Sequence, residues 1–211
     1  MDYSYFRCTW IDPKELREKA DRVREEYWPD NTFPIDTEKI VEFRLPLEIE
    51  PIHNLLSIID IDAYLKMDLT GIVVDYDCYM DEKFANRMRF SFAHELGHLF
   101  LHKEIYTRLD VTSPEEWKDF ILNVPENEYR SFEWQANEFA GRLLVPYVNL
   151  AEEVSKACEL IRKNNLATFL RTDSDAVLSR VSPALAKPFG VSTDVIEIRV
   201  KREGLWPPPE V

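Results

Sequence analysis

Glycine, histidine and cysteine are scarce in this chain of 211 residues, which holds five, four and three of them. The cysteines, Cys8, Cys78 and Cys158, are odd in number and 70 to 80 residues apart. That spacing excludes a disulfide framework and a close-set zinc knuckle, and leaves buried free thiols as the simplest reading. No run approaches the ~18 apolar residues of a membrane-spanning helix. The start, Met1-Asp2-Tyr3-Ser4, lacks the basic then apolar order of a signal peptide, so the expected location is cytoplasmic. Basic residues are also short: 26 Lys and Arg face 39 Asp and Glu, a net charge of −13. Residues 151–211 hold nine of each sign, so the whole excess lies in residues 1–150, a front half that repels nucleic acid. With 45% hydrophobic and 12% aromatic residues the chain can bury a core, which excludes global disorder. There is no internal repeat.

Helix signals dominate. Asp12-Pro13-Lys14-Glu15 pairs an N-cap with a first-turn proline and predicts an exposed helix to about Tyr27. Asp36-Thr37-Glu38 opens a shorter one through Phe43. Leu47 to Ile52 alternates apolar and acidic residues, and Gly71 to Tyr76 is β-branched, so both are predicted strands. A largely buried, proline-free helix is expected within 81–102, another after the cap Ser113-Pro114-Glu115-Glu116, and a long one from about Pro125 to Pro146. Helical pattern continues beyond 147, and Pro207-Pro208-Pro209 predicts an extended tail.

His94-Glu95-Leu96-Gly97-His98 carries the chemistry. On a helix, imidazoles four residues apart stand one turn apart on one face, where both can reach a single Zn²⁺ at ~2.0–2.1 Å. Glu95, one residue on, flanks the metal without binding it and can take a proton from water there and pass it to a leaving amine. Between Phe90 and His102 the polar residues Ser91, His94, Glu95, His98 and His102 form one stripe amid apolar neighbours, the pattern of a buried helix facing a cleft. The competing reading is a pair of ordinary core histidines. His102 stands a further turn up the axis, ~6 Å away, with no glycine to bring it back. It reads as a cleft-wall or structural residue rather than a ligand.

A hydrolytic zinc site needs a third protein ligand and an open position. Glu133, Ala136, Asn137, Ala140 and Leu144 share one helical face whose small residues permit close helix approach, so Glu133 is the candidate ligand. Asn137, one turn on, is placed to hydrogen-bond the outer nitrogen of a ligand histidine. Glu126 is the main rival for Glu133. Glu138, about 140° around the helix, is expected to face solvent. Tyr106, Tyr129, Arg130 and His53 are equal candidates for stabilising an oxyanion.

The run Met88-Arg89-Phe90-Ser91-Phe92-Ala93-His94-Glu95-Leu96-Gly97-His98, followed by Glu133-Trp134-Gln135-Ala136-Asn137-Glu138-Phe139-Ala140-Gly141-Arg142-Leu143-Leu144-Val145-Pro146, resembles the ImmA/IrrE family of zinc metallopeptidases. The likeness extends more weakly from about Pro34 to Gly204. It implies an α+β, zincin-like core with a short antiparallel sheet over the zinc helix. It carries over His94, His98 and Glu133 as ligands of one Zn²⁺ and Glu95 as general base. It also implies a substrate protein, a helix-turn-helix repressor or antitoxin whose cleavage relieves repression. Many members carry their own N-terminal helix-turn-helix domain. The first thirty residues here do not resemble one, so the partner is expected to be a separate protein.

The expected organisation is an N-terminal helical extension (1–33), a catalytic domain (34–150) and a C-terminal helical subdomain (151–211). Within the last, Leu185 to Ile196 has helix-turn-helix-like spacing, which raises a second function class, a DNA-binding regulator with a structural zinc. Pro188 and the lack of a basic face argue against it. A third reading is a module that sequesters its partner without cutting it. Gly71 to Tyr76 is either a strand to which substrate adds or plain core sheet.

Overall fold

The computed structural model describes residues 3–109, 111, 113–164 and 167–208. Helix α1 (Pro13–Tyr27) starts where predicted, with the Asp12 side chain accepting from Lys14 N–H. The short α2 (Thr37–Lys39) runs into a wide turn, Ile40–Arg44. Then come β1 (Glu48–Ile52), α3 (Leu55–Ile59), β2 (Ala63–Leu65), β3 (Gly71–Asp75) and α4 (Tyr76–Met80). A single tight turn, Glu82–Phe84, leads into the long α5 (Ala85–Leu101), which is followed by α6 (Lys103–Tyr106). Next are α7 (Pro114–Asn123), capped by Ser113, and α8 (Glu126–Leu144), whose first turn carries Glu126 and Glu128 where the helix dipole favours acids. The chain ends with α9 (Tyr147–Lys163), α10 (Ala167–Thr172), α11 (Ser174–Ala186) and α12 (Thr193–Arg202). Trp206, just before the proline run, is buried and donates to the Ser174 carbonyl. Pro209, the last residue of the expected tail, lies outside the described residues.

The architecture is α+β, as expected for a zincin-like metallopeptidase. The sheet is short but not wholly antiparallel. Its order is β1-β3-β2, with β2 antiparallel to β3 and β1 parallel to it. A five-residue turn joins β2 to β3 as a hairpin, whereas α3 and β2 intervene between β1 and β3 and return the chain in the same direction. Every residue of β3 is buried, since it is the central strand. The edges of the sheet are therefore β1 and β2, and β3 has no side left on which to add a substrate strand.

Helix α1 is not exposed on all sides. Leu16, Ala20 and Val23 bury one face. The residues before it are also fixed: Phe6 packs edge-on against Phe120 and Phe132, and Cys8 N–H donates to the Glu128 carboxylate at 2.8 Å. All three cysteines are buried free thiols.

Candidate metal centre

Two helices meet closely at α5 and α8. A Cβ on Gly97 would lie 3.0 Å from the Cα and the carbonyl oxygen of Ala136, so the glycine inside the His-Glu-Leu-Gly-His run is what lets α8 come so near. That contact brings His94 and His98 on α5 against Glu133 on α8. The two imidazole Nε2 atoms are 3.0 Å apart, and the Glu133 oxygens lie 3.2 Å from His94 Nε2 and 3.5 Å from His98 Nε2. Ligand atoms at ~2.1 Å around a tetrahedral ion stand ~3.4 Å from one another, so these three fit one cation of that size. The His94 side chain is 15% exposed and that of Glu133 29%, so the group opens on one side, towards a cavity of about 230 Å³.

The outer ring nitrogens are held too. Asn137 Oδ1 lies 3.2 Å from His94 Nδ1. His98 is 2% exposed, and its Nδ1 faces His102 Nδ1 at 3.0 Å. His102 in turn reaches Gln135 Oε1 through its Nε2 at 3.1 Å. The Phe132 ring lies 4.2 Å from that of His98 and 4.4 Å from that of His102, keeping water from both.

Charge in the cluster is divided unequally. Burial opposes ionisation of His94, yet the Glu133 carboxylate raises it to about 9. His98 falls to about 4 through burial and the charge on His94. Burial would also raise Glu133, but its two imidazole partners hold it far below the usual carboxylate range. The pocket thus favours one positive charge beside one carboxylate, which is the electrostatics of a cation site. Glu95 is 4% exposed and accepts from Leu65 N–H of the edge strand at 2.8 Å. Burial pushes it up to about 8, with His94 pulling the other way. A carboxyl with that proton affinity can both take and return a proton near neutrality.

The structure places the remaining candidates differently from one another. Glu126 is paired with Arg130 at 2.5 Å, is largely exposed, and lies away from the imidazoles. His102 does not join the group of three: it sits behind His98, on the far side from Glu133. Glu138 does not face solvent. It is 1% exposed, paired with Arg199 at 2.7 Å, with Arg17 at 3.3 Å, and with Arg202. The helix angle expected for it is right, but α1 and α12 cover that side of α8. Of the four oxyanion candidates, Tyr129 lines the metal cavity. Tyr106 is buried, with no partner for its hydroxyl among the described residues, while His53 packs on Tyr76 at 4.1 Å. Gln135 and Thr9 carried no sequence signal, because the contact joining them spans 126 residues.

The helix-turn-helix-like spacing corresponds to α11 and α12, joined by a tight turn at Lys187–Phe189 and by Gly190 in the left-handed region. Arg199 of α12 points inward to Glu138 rather than outward. A second cavity, about 680 Å³, runs beside the first between α8 and α12. Trp134, Val195 and Ile198 give it an apolar wall, and Phe90, Tyr129 and Glu133 line both cavities. No helix among the described residues is long and apolar enough to cross a membrane. The family model for peptidase M78, described as the IrrE N-terminal-like domain, matches residues 79–201, more than half of the chain. No curated protein shows a significant match.

Proposed function

From the premise that the chain belongs to the IrrE N-terminal-like, M78 family of metallopeptidases, we propose that it is a zinc-dependent endopeptidase. Its substrate in this reading is a separate protein, a helix-turn-helix repressor or antitoxin, whose cleavage relieves transcriptional repression. The observation that carries the enzymatic reading is the convergence of His94, His98 and Glu133 at the floor of an open cavity, with the buried carboxyl of Glu95 beside them. Zinc, when bound, would supply Lewis acidity to a peptide carbonyl and to water.

The chain's own groups then have distinct tasks. His94, His98 and Glu133 would hold the ion, and Asn137 orients His94. Glu95 takes a proton from water and delivers it to the leaving amine; its bond to Leu65 N–H keeps the carboxylate in place. Tyr129, which lines the cavity, is the group whose hydroxyl would donate to the oxygen on which charge develops. The free edge of β2, whose Ala63 and Tyr64 line the cavity, can pair with an extended substrate backbone, and the apolar groove beside it accepts side chains. An extended chain running through two adjoining cavities suits cleavage within a polypeptide. The acidic front half, which holds the full charge of −13, complements the basic surface of a DNA-binding partner.

The test is Glu95→Gln. Incubated with helix-turn-helix proteins encoded beside it, the wild-type chain should cut one of them, with the products read by intact mass. The variant should lose ~10²–10⁴-fold in rate while keeping its metal, measured by elemental analysis. A partner regulated equally well by both proteins would overturn proteolysis in favour of sequestration. The DNA-binding regulator has less support, because Arg199, a basic residue of α12, is consumed inside the protein.

A further inference from the structure

We infer that the N-terminal segment at Cys8 and Thr9 fixes the tautomer of His98 through two buried side chains, Gln135 and His102, and thereby sets how tightly the chain binds a divalent cation. The inference rests on the reading of His94, His98 and Glu133 as metal ligands. Cys8 and Thr9 lie outside the family-matched residues.

Each step follows from donor and acceptor counting. Gln135 is fully buried, and its Nε2 is 3.0 Å from the Thr9 carbonyl oxygen and 3.5 Å from Cys8 Sγ. A carbonyl oxygen can only accept, so the amide must turn its NH₂ towards Thr9, which aims Oε1 at His102 Nε2, 3.1 Å away. Oε1 in turn accepts only, so His102 carries its hydrogen on Nε2. A neutral imidazole has one such hydrogen, which leaves His102 Nδ1 as an acceptor. His98 Nδ1, 3.0 Å away, must then donate. The hydrogen of His98 is thus held on the outer nitrogen, and Nε2 presents a bare lone pair towards Glu133 and His94. In the opposite tautomer an N–H would point at the place a cation needs.

Both ends of the relay are anchored. His102 ends α5, its N–H donating to the His98 carbonyl at 2.9 Å. The N-terminal segment is tied to α8 through Cys8 N–H and Glu128 and through the packing of Phe6 on Phe132. The outer nitrogen of His94 meets Asn137 at the open side of the site, whereas that of His98 is governed from the interior. Histidine ligands commonly lose 10–100-fold in metal affinity when such outer partners are removed.

The test compares His102→Asn, His102→Leu and Gln135→Met in the full chain. Zinc dissociation constants come from competition with a chromogenic chelator, and the His98 tautomer from ¹⁵N–¹H shift correlations of the metal-free protein. Metal-free wild type should show His98 protonated on Nδ1. His102→Leu and Gln135→Met should weaken zinc binding roughly 10–100-fold and give mixed tautomers. His102→Asn, whose side-chain oxygen can take the place of Nδ1 as acceptor, should recover most of the affinity. The inference is overturned if metal-free wild type carries the His98 hydrogen on Nε2, if Asn and Leu lose affinity alike, or if no variant differs from wild type. Neither readout uses a peptide, so failure of the peptidase reading shows itself separately in the Glu95→Gln comparison.

Discussion

Helix α8 carries two carboxylates five residues apart, Glu133 and Glu138, and their surroundings could hardly differ more. Glu133 sits between imidazoles at the floor of an open cavity. Glu138 sits between the guanidiniums of Arg17, Arg199 and Arg202, with Asp21, Arg142 and Glu203 extending the cluster across α1, α8 and the end of α12. A guanidinium keeps its charge at any ordinary pH, so the pairing of Glu138 is permanent and its effect is to clamp both ends of the chain onto α8. An imidazole can be neutral and offer a lone pair, so the partners of Glu133 can exchange a proton for a cation. In the proposed reading, what separates a metal-binding acid from a structural one on this helix is the chemistry and openness of its neighbours.

The contrast is broken most forcefully by truncating each acid in turn. Glu138→Ala leaves Arg199 buried without its main partner, and removing one member of a buried ion pair costs ~3–5 kcal/mol. Chemical denaturation should show that loss. Glu133→Ala should leave the denaturation midpoint of the metal-free chain much less changed. Its zinc affinity, by contrast, should fall by more than the ~100-fold typical of an outer partner, because the proposed site loses a ligand itself. If the two variants exchanged these phenotypes, the assignment of the two sides of α8 would be wrong.

A smaller effect separates the two sides by pH. Against the burial that would raise them, Arg199 and Arg202 hold Glu138 below its ordinary 4.5, and Arg142 and Arg24 hold Asp21 below its ordinary 3.8. A carboxyl depressed in the folded state contributes stability that is complete above its unfolded pKa and is lost as pH falls through the folded value. The contribution of these two acids should therefore be level near neutrality and decline below about pH 4.5. In Glu138→Gln that acid decline should be shallower, as unfolding followed from pH 7 to 3 would reveal.

The same two sides differ in how much of them could be read from the sequence. Spacing suffices for His94 and His98, four apart on one helix, and the face shared by Glu133, Ala136 and Asn137 follows from helical period alone. The burial of Glu138 depends on residues more than a hundred positions before it and sixty after it, which no local pattern reports. His102 was legible as something other than a ligand, but its partner Gln135 is oriented by a backbone carbonyl at Thr9, and a carbonyl leaves no mark in sequence. Strand signals at Leu47 to Ile52 and Gly71 to Tyr76 marked β1 and β3, yet alternation is blind to direction. The parallel pairing of β1 with β3 comes from the crossover between them.

The finest comparison lies in two glycines that admit close neighbours, one on each side. At Gly97 the obstacle to a Cβ is the backbone of Ala136, 3.0 Å away; at Gly141 it is the Arg199 side chain, with Cδ at 2.9 Å. Replacing a mid-helix glycine by alanine gains ~1 kcal/mol of helix propensity in either case. At Gly97 the helices must move apart, an overpacking cost of ~1–3 kcal/mol, and Glu133 moves with α8 away from the imidazoles. At Gly141 the obstacle is the middle of the buried Arg199 side chain, whose guanidinium is held by Glu138 and Glu203, so a similar cost falls on the arginine cluster and leaves Glu133 and the imidazoles in place. Gly97→Ala should therefore lower both stability and zinc affinity. Gly141→Ala should lower stability in denaturation and bind zinc unchanged. A Gly141→Ala variant that proved the costlier of the two would mean that the arginine cluster, rather than the α5–α8 contact, is the stiffer part of the molecule.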